Sequence, residues 1–351
     1  MNQVNLQNGE ENKHVRRKRY SGTHPKNYKE KYKELNPEKY AQDVKHIIES
    51  GKTPAGMHIP ICVNEILDFL QIKPGQIGLD ATLGYGGHAQ KMLERLHSQG
   101  HLYAIDVDNV EMEKTKNRLE NLGYDSKILT IKQLNFSKID TILPLDKKFD
   151  FVLADLGLSS MQIDNPERGF SFKNDGPLDL RLNSEQNMTA TKRLKKITSE
   201  ELEILLTENA DEPYAKEIAL AITNQIKNSV EITTTSQLTK IIMNTLKFIP
   251  QDEQKKSCQR TFQALRIDIN KEYEVLFEFL DKLPNVLSKG GKVAILTFHS
   301  GEDRLVKKAF KFFFNQGIYS EIAKDVILPS VSECFSNSRA HSAKLRWAIK
   351  A

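Results

Sequence analysis

The segment Leu79-Asp80-Ala81-Thr82-Leu83-Gly84-Tyr85-Gly86-Gly87-His88 decides the fold. Its first residues end the apolar run 76–82, and the residues after His88 have helical spacing. A strand, a glycine-rich turn and a helix N-terminus in this order direct backbone N–H groups to one point, where glycine lets a ligand approach closely. The spacing is not GxGxxG, so it disfavours a dinucleotide-binding loop and hence an NAD-linked oxidoreductase.

Short apolar runs on both sides of this segment predict a parallel β-sheet. They alternate with helical stretches, the first of which is 61–70, and such near-continuous apolar runs are typical of strands covered on both faces. The predicted strands are 76–82, 101–106, 127–132, 149–155 and 292–298. Parallel sheets bind ligands beyond the carboxyl ends of their strands, so the residues that follow each run are candidates for a site.

More than 100 residues separate the fourth and fifth runs, too many for one crossover, and most of them have helical patterns. Thr198-Ser199-Glu200-Glu201 and Thr234-Thr235-Ser236-Gln237 have the form of capping boxes. We expect 261–283 to be one helix that returns to the sheet and 288–291 to be the turn before the last strand. The predicted domains are a basic N-terminal extension 1–52, an α/β domain 53–163 with 259–351, and a helical insertion 164–258.

Positive charge is concentrated at the N-terminus. Residues 1–52 hold 12 Lys or Arg and 7 Asp or Glu, whereas the rest of the chain holds 39 of each sign, so the net charge of +5 belongs to the extension. Arg16-Arg17-Lys18-Arg19 and the tyrosines interleaved with later lysines suit phosphates and bases. The extension is therefore either a nucleic-acid arm or a solvated segment that aids solubility.

Composition excludes several classes of protein. With 39% hydrophobic and 28% charged residues, the chain is neither collagen-like nor wholly disordered. It contains no run of roughly 18 apolar residues and no apolar core of a secretory signal at its start, so we expect a cytoplasmic protein without a membrane partner. Cys62, Cys258 and Cys334 are far apart, and we expect neither a disulfide framework nor a metal site.

The residues that follow the predicted strands suit a nucleoside. Asp106 ends the second strand, where a carboxylate can accept hydrogen bonds from both hydroxyls of a ribose. Phe136 follows the third strand and can pack on adenine, although an isolated aromatic there is more often part of the core. With the glycine loop, Asp106 predicts adenosine without a phosphate chain, as in S-adenosylmethionine, rather than a tight turn beside an exposed acid.

A set of further segments carries a resemblance to one known family. In the first half they are His58-Ile59-Pro60, Gly84-Tyr85-Gly86-Gly87-His88, Asp155-Leu156-Gly157-Leu158-Ser159-Ser160 with Gln162, and 164–172 with 175–179. In the second half they are 260–266, Phe298-His299-Ser300 with Glu302-Asp303-Arg304, and 342–346. Together they resemble the bacterial 16S rRNA (cytosine-N4)-methyltransferases, the RsmH or MraW family. The resemblance covers about residues 57–351 and is most specific in PERGFSF and TFQALR.

The resemblance implies an α/β fold of the class I (Rossmann-like) S-adenosylmethionine-dependent methyltransferases with an inserted all-helical domain. It implies S-adenosylmethionine as methyl donor and a cytosine in the decoding region of 16S rRNA as acceptor. The substrate would be this rRNA within the small ribosomal subunit, and a homodimer is compatible with the family. Carried over by motif, the cofactor-binding residues are Gly86, Gly87, His88, Asp106, Phe136, Asp155 and Gln162.

The catalytic residue stays open between Asp155 and His299. The N4 amine of cytosine is a poor nucleophile, because its lone pair is delocalised into the ring, so the enzyme must align it and accept a proton. This chain does not have the Asp/Asn-Pro-Pro-aromatic tetrapeptide of many amino-methyltransferases. Our hypothesis is that Asp155 and nearby backbone carbonyls accept the amine hydrogens. His299, at the end of the fifth strand, is the other candidate, although a structural role is favoured there.

Two further questions depend on the family segments. The first concerns their basic residues, which are Arg168, Lys173, Arg181, Arg260 and Arg266. Each of them either binds RNA phosphate or pairs with an acidic side chain, and pairing is at least as expected as RNA binding. Met161 and Gly301 stand where the family usually has proline and leucine. These departures leave room for a paralogue that methylates another RNA base, or for a non-catalytic ribosome-assembly factor.

Overall fold

The computed structural model describes residues 60–337 and 339–351. The predictions for the basic extension 1–52, and for His58 and Ile59, lie outside the described residues. No helix within the described ranges is long and apolar enough to cross a membrane.

The described chain is built on one mixed β-sheet. Its strands are β1 Ile77–Asp80, β2 His101–Asp106, β3 Leu129–Gln133, β4 Phe149–Asp155, β5 Leu287–Thr297, β6 Tyr319–Ile322 and β7 Lys344–Lys350. They lie in the order β3-β2-β1-β4-β5-β7-β6. Strands β1 to β5 are parallel, whereas β7 is antiparallel to both β5 and β6. The strand order reverses between β1 and β4, the position at which open sheets of this kind bind ligands.

The five predicted strands are confirmed, and they pair in parallel as predicted. Strands β6 and β7 add an antiparallel edge. The predicted turn 288–291 is part of β5, where Leu287 pairs with Phe149 and Lys292 pairs with Phe151. The residues between them form an irregularity in the strand, in which Gly290 has a φ of +73°.

Helices cover the sheet and form the long connection after β4. Around the sheet they are α1 Val63–Leu70, α2 Gly87–Leu96 and α3 Asn109–Asn121. In the long connection they are α4 Ser160–Asp164, α5 Ala190–Leu194, α6 Ser199–Ala210, α7 Ala215–Lys227, α8 Thr235–Thr245 and α9 Gln251–Asn270. The remaining helices are α10 Glu272–Val286, α11 Ser300–Asn315 and α12 Val331–Ser336. Both predicted capping boxes are present, at the N-termini of α6 and α8.

The single helix predicted over 261–283 was wrong. The chain breaks at Lys271, which has a φ of 51° and separates α9 from α10. Helix α9 begins at Gln251, so residue 258, the predicted end of the insertion, lies inside a continuous helix. The division into domains stays a prediction, although one apolar cluster runs from Phe170 to Ile269 and is separate from the two clusters that pack on the sheet.

Tight backbone packing fixes the start of the long connection. Gly169 has a φ of +70°, and a Cβ atom there would collide with the carbonyl of Pro177. A Cβ atom on Gly176 would collide in turn with the carbonyl of Pro166. The glycines of the PERGFSF and DGPLD segments thus let two stretches of chain lie against each other, beside the carboxyl ends of the strands.

Candidate active site

A cavity of about 630 Å³ lies at the carboxyl edge of the parallel strands. Residues that follow β1, β2, β3, β4 and β5 line one side, and residues of the PERGFSF segment and of α9 line the other. This volume lies within the range of about 300–1,000 Å³ that is typical of small-molecule sites. The cavity is therefore where the sequence predicted a site, between the sheet and the helical connection.

The glycine loop and Asp106 are bound to each other. Gly84 has a φ of 48° and donates its backbone N–H to Asp106 Oδ2 at 2.8 Å. The other carboxylate oxygen accepts the N–H of Asp108 at 2.9 Å. Burial raises the pKa of Asp106 above its usual value, although these N–H groups act in the opposite direction. Asp106 thus holds the loop in place. It also lines the cavity, where its oxygens can accept further hydrogen bonds.

The predicted glycines do not all face the cavity. Gly84 and Gly87 line it, whereas Gly86 does not. Gly86 has a φ of 66°, and a Cβ atom there would meet Thr115 and Leu119 of α3. Its contribution is therefore the turn and the close packing of the loop against α3, which place Gly87 at the N-terminus of α2.

Phe136 and Gln162 line the cavity from two other directions. Phe136 is half-buried, with its ring 5.1 Å from that of Phe279 in an edge-to-face contact. The side chain of Gln162 is engaged at both ends: Oε1 accepts the N–H of Ser159, and Nε2 donates to Asp108 Oδ2 at 2.8 Å. Gln162 thus links the loop after β4 to the residue that caps α3.

His88 and Asp155 form a close pair at the centre of the site. His88 Nε2 lies 3.0 Å from the carbonyl oxygen of Ile61 and donates to it, so Nδ1 is the ring nitrogen that faces Asp155 Oδ2 at 3.5 Å. Burial lowers the pKa of His88. The pKa of Asp155 is raised to about 7 by burial and then by the charge of Glu302. Near neutral pH, the carboxyl can therefore both hold and release a proton.

Asp155 has unused hydrogen-bonding capacity. Its Oδ1 is buried and accepts no hydrogen bond. Its backbone N–H donates to Thr82 Oγ1 at 2.6 Å, which fixes the end of β4 against the end of β1. A buried carboxyl oxygen without a partner is costly, and a polar ligand group in the cavity would relieve that cost.

Asp80, at the end of β1, is a second buried carboxyl with a raised pKa. Its Oδ1 accepts the N–H of Thr82, whereas Oδ2 is buried without a partner. Burial raises the pKa from 3.8 to about 7, against the opposing charge of His88. Asp80 does not line the cavity. Asp80 therefore affects folding directly, and the site only through its charge interactions with His88, Asp155 and Asp106.

We expect Asp80→Asn to stabilise the protein at pH 8. The folded protein holds an extra proton between pH 3.8 and about 7, so its stability falls as the pH rises through that window. The neutral amide does not have this loss. We therefore expect the free energy of unfolding at pH 8 to rise by at most about 4 kcal/mol, which corresponds to a pKa shift of about three units. Urea unfolding at pH 5 and pH 8 measures the difference, with the exposed Asp146→Asn as control. The prediction would be contradicted if the free energy of unfolding changed equally with pH in the wild type and in the variant.

His299 lines the cavity and belongs to a buried network. It caps α11, with Nδ1 accepting the N–H of Glu302 at 3.4 Å and Nε2 lying 3.1 Å from Glu302 Oε1. Burial opposes ionisation of Glu302, but the interaction with His299 and the charge of Arg266 outweigh it and lower its pKa. Nδ1 of His299 is thus engaged in the cap, whereas Nε2 faces Glu302 without a well-formed hydrogen bond.

The same network resembles a metal site in composition. Glu272, His299 and Glu302 place one candidate ligand atom each within 4.8 Å of one another. However, Arg266 donates to both carboxylate oxygens of Glu272, at 2.8 Å each. A guanidinium at that position satisfies the carboxylate and repels a cation, so the group is better described as an ion-pair network.

Four of the five basic residues of the family segments are paired with acids. The pairs are Arg168 with Asp108, Arg181 with Asp179, Arg260 with Glu212 and Arg266 with Glu272. The side chain of Lys173, which lines the cavity and is exposed, contacts no acidic group among the described residues. Lys173 is thus the one member of the set that is available for a phosphate.

The surroundings of Gly301, which stands where the family usually has leucine, leave no space for a side chain. A Cβ atom there would collide with the hydroxyl of Tyr273. That hydroxyl donates to the carbonyl of Asn209 at 3.0 Å and so connects α10 with the end of α6. Tyr273 therefore occupies the space that a larger residue at position 301 would need.

Sequence reasoning missed the supporting role of Asp108. It caps α3 and accepts hydrogen bonds from both Gln162 and Arg168, through Oδ2 at 2.8 and 2.7 Å. The only available signal was its position just after β2, since the partners come from segments more than 50 residues away. Asp108 joins the cofactor side of the cavity to the PERGFSF segment.

A sheet with this strand order, a glycine loop after β1 and an acid after β2 define the class I, Rossmann-like fold of S-adenosylmethionine-dependent methyltransferases. A model of the MraW methylase family matches residues 55–351. The chain belongs to that family.

Named relatives agree with this assignment. Over 342 residues the chain is 65% identical to "Ribosomal RNA small subunit methyltransferase H 1" of Lachnoclostridium phytofermentans, covering 96% of this chain and 93% of that one. It is 64% identical to "Ribosomal RNA small subunit methyltransferase H 2" of Alkaliphilus metalliredigens, covering 97% and 99%. It is 38% identical to "Ribosomal RNA small subunit methyltransferase H" of Caldicellulosiruptor saccharolyticus, covering 84% and 99%.

Proposed function

We propose that this protein methylates the exocyclic N4 amine of a cytosine in the decoding region of 16S rRNA, with S-adenosylmethionine as the methyl donor. The observation that carries the proposal is the position of Asp155. Its carboxyl lies at the centre of a cavity that has a nucleoside-type site on one side and the helical connection on the other. The names of the relatives support small-subunit rRNA as the substrate.

The residues on the sheet side of the cavity fit S-adenosylmethionine. Asp106 offers acceptors for ribose hydroxyls, Phe136 offers an aromatic face or edge for adenine, and the loop that ends at Gly87 brings the N-terminus of α2 to the cavity. When bound, the cofactor supplies an electrophilic methyl group. Nothing in this loop forms the pyrophosphate cradle that a dinucleotide requires, which agrees with a nucleoside that has no phosphate chain.

Asp155 is the proposed proton acceptor. An N4 amine becomes nucleophilic only when a hydrogen-bond acceptor orients it and takes up the developing charge. A carboxyl with a pKa of about 7 is ionised in part near neutral pH and basic enough to accept a proton. His299 caps α11 through Nδ1 and faces Glu302 through Nε2, whereas Asp155 ends β4 in the middle of the strand ends and has a raised pKa and a buried oxygen without a partner, so Asp155 is the stronger of the two candidates.

The helical connection is the proposed substrate-binding part. The cavity is also lined by Phe170 and Phe172 of the PERGFSF segment, by the adjacent Lys173 and by Phe262 of α9. Aromatic rings suit an unpaired or flipped base, and the exposed Lys173 suits a neighbouring phosphate. We propose that the substrate is the assembled small subunit, that the protein acts in the cytoplasm, and that a homodimer is compatible with this activity.

Mass spectrometry of the 16S decoding-region fragment tests the function directly. A strain that lacks the gene should lose one methyl group from a cytosine base relative to its parent. Wild-type protein should restore the methyl group, and Asp106→Ala should not. An unchanged methylation pattern would overturn the proposal. Transfer of tritium from labelled S-adenosylmethionine would then separate a paralogue, which labels another RNA base, from a non-catalytic assembly factor, which labels none.

A further inference from the structure

Helix α11 carries a basic stripe on its exposed face. Arg304, Lys307, Lys308 and Lys311 have the spacing i, i+3, i+4 and i+7, which places them on one side of a helix, and all four are exposed. The opposite side packs on the sheet through Val306, Phe310 and Phe313. The stripe spans about 10 Å along the helix axis.

The acidic residues of α11 offset only part of this stripe, through the charge interaction of Asp303 with Lys307. Glu302 and Asp303, the acids of the helix, lie in its first turn. Glu302 faces His299, and Asp303 is bound by Arg346 at 2.6 Å. No acid then occurs until Glu321, in β6. Since residues 53–351 hold equal numbers of positive and negative charges, the stripe is a local feature and not a consequence of overall charge.

The side chains of the stripe are mostly unpaired. Arg304 lies 3.5 Å from Asp211, a contact between two well-exposed groups that contributes little. Lys307, Lys308 and Lys311 form no ion pair with any of the residues that the structure describes. Three adjacent ammonium groups that repel one another are expected to attract an anionic partner.

Exposed aromatic rings flank the stripe at its far end. Phe312 is 57% exposed and Phe314 is 42% exposed, one on each side of the lysines around the helix. Cations combined with accessible aromatic rings are the recurrent surface for single-stranded nucleic acid, because phosphates pair with the cations and bases stack on the rings. A purely protein-binding surface would not require a stripe of one charge.

The position of α11 links this surface to the active site. The helix follows β5, and its first turn contributes Glu302 to the wall of the cavity, next to His299. Arg304, the first residue of the stripe, lies two positions after Glu302 and on the other side of the helix, so the stripe begins within one turn of the cavity wall, on the outer face of α11. The phosphates next to a base in the cavity are therefore within reach of this face.

We infer that the basic stripe of α11 binds the backbone of single-stranded rRNA next to the target base. This inference rests on the proposed function. Phe312 and Phe314 provide stacking surfaces at the outer end of the stripe. The surface binds RNA of any sequence, because phosphates do not differ from one base to another. The base itself is selected by the cavity.

The test compares two triple variants of the full chain. Lys307→Gln, Lys308→Gln and Lys311→Gln together remove the stripe. The control is Lys73→Gln, Lys147→Gln and Lys289→Gln, which remove the same charge from exposed positions at the amino ends of β1, β4 and β5. Fluorescence anisotropy with a labelled single-stranded decoding-region RNA gives the Kd at several salt concentrations, and methyl transfer gives kcat and KM.

We expect the stripe variant to bind RNA about tenfold more weakly near 0.15 M salt, with the slope of log K against log salt reduced by about 2 for three lost phosphate contacts. The RNA KM should rise while kcat at saturating RNA is kept. The control should change the Kd by less than about twofold, as for distant screened charges.

Three outcomes would overturn the inference: equal weakening in both variants, no weakening in the stripe variant, or intact RNA binding with an altered oligomeric state on gel filtration. The last outcome would assign the surface to a protein partner. A wild-type protein that binds the RNA but transfers no methyl group would instead overturn the proposed function. The binding comparison would still decide whether the stripe holds RNA.

Discussion

Asp155→Asn is expected to lower the turnover of methyl transfer by about 10²- to 10⁴-fold, the usual contribution of a positioned general base. The amide keeps the size of the side chain but cannot accept a proton near neutral pH. The contact that fixes the end of β4 is made by the backbone N–H of residue 155 with Thr82, so it is retained. Single-turnover kinetics with decoding-region RNA measure the loss, and calorimetry with S-adenosylmethionine measures cofactor binding.

Asp80→Asn is the matched control for this variant. Asp80 is fully buried and the side chain of Asp155 is 29% exposed, but both have a pKa raised to about 7. Of the two, Asp155 alone lines the cavity. Because Asp80 acts on Asp155 only through its charge, we expect Asp80→Asn to change stability and to lower turnover far less than Asp155→Asn. Unchanged turnover in Asp155→Asn would exclude the proton-acceptor role, and equal loss in both variants would indicate a general electrostatic effect.

The wild-type pH profile gives an independent check on the role of Asp155. Its pKa of about 7 means that the ionised, accepting form is lost as the pH falls below that value. The logarithm of kcat/KM should therefore decrease with a slope of about one per pH unit below pH 7 and level off above it. A profile that is flat between pH 5.5 and 8 would contradict the proposal.

The central sheet was predictable because its strands are buried on both faces. Such strands are continuous apolar runs, and each of the five ends at a polar residue or turn that the sequence displays. Strands β6 and β7 were missed for the opposite reason. β6 is a four-residue edge strand, and β7 contains Lys344, Arg346 and Lys350, whose partners lie on distant elements. Asp303, for instance, binds Arg346 and lies 3.7 Å from Lys344.

The break at Lys271 was not predictable from local sequence. No glycine or proline marks it, and a lysine with positive φ is uncommon. The break is held from outside the helix: the Asn270 amide donates to the carbonyls of Leu180 and Arg266 at 2.8 Å, and its oxygen accepts the N–H of Leu182 at 2.8 Å. Leu180 and Leu182 belong to another segment of the chain, so only the tertiary structure reveals why α9 ends at Asn270.

Several of the residues predicted for the site line one cavity, but the pairings around them were not predicted. Strand ends of a parallel sheet meet at one edge, so Asp106, Phe136 and Asp155 could be expected to share a cavity. The positions of the strand ends do not indicate, however, which charged side chains pair with each other. Arg168 was a candidate for RNA phosphate, but it is bound by Asp108, a pairing that depends on how the PERGFSF segment folds over the sheet.

Asp106→Ala is expected to weaken the binding of S-adenosylmethionine by about 10²- to 10³-fold. The variant loses the proposed acceptors for the ribose hydroxyls, and hydrogen bonds to a charged group contribute about 1.5–3 kcal/mol each. It also leaves the N–H groups of Gly84 and Asp108 without their acceptors, so the glycine loop loses its anchor. Calorimetry gives the Kd.

Two further variants separate ribose binding from loop anchoring. Asp106→Asn keeps one acceptor oxygen and should lose less affinity than Asp106→Ala. Asp125→Ala is the control, because that carboxylate also accepts a backbone N–H, from Lys127, but precedes the amino end of β3 and does not line the cavity. If the Kd for S-adenosylmethionine were unchanged in Asp106→Ala, the nucleoside would have to bind elsewhere. Loss in Asp106→Ala alone, with normal affinity in Asp125→Ala, is what a ribose acceptor at the end of β2 requires.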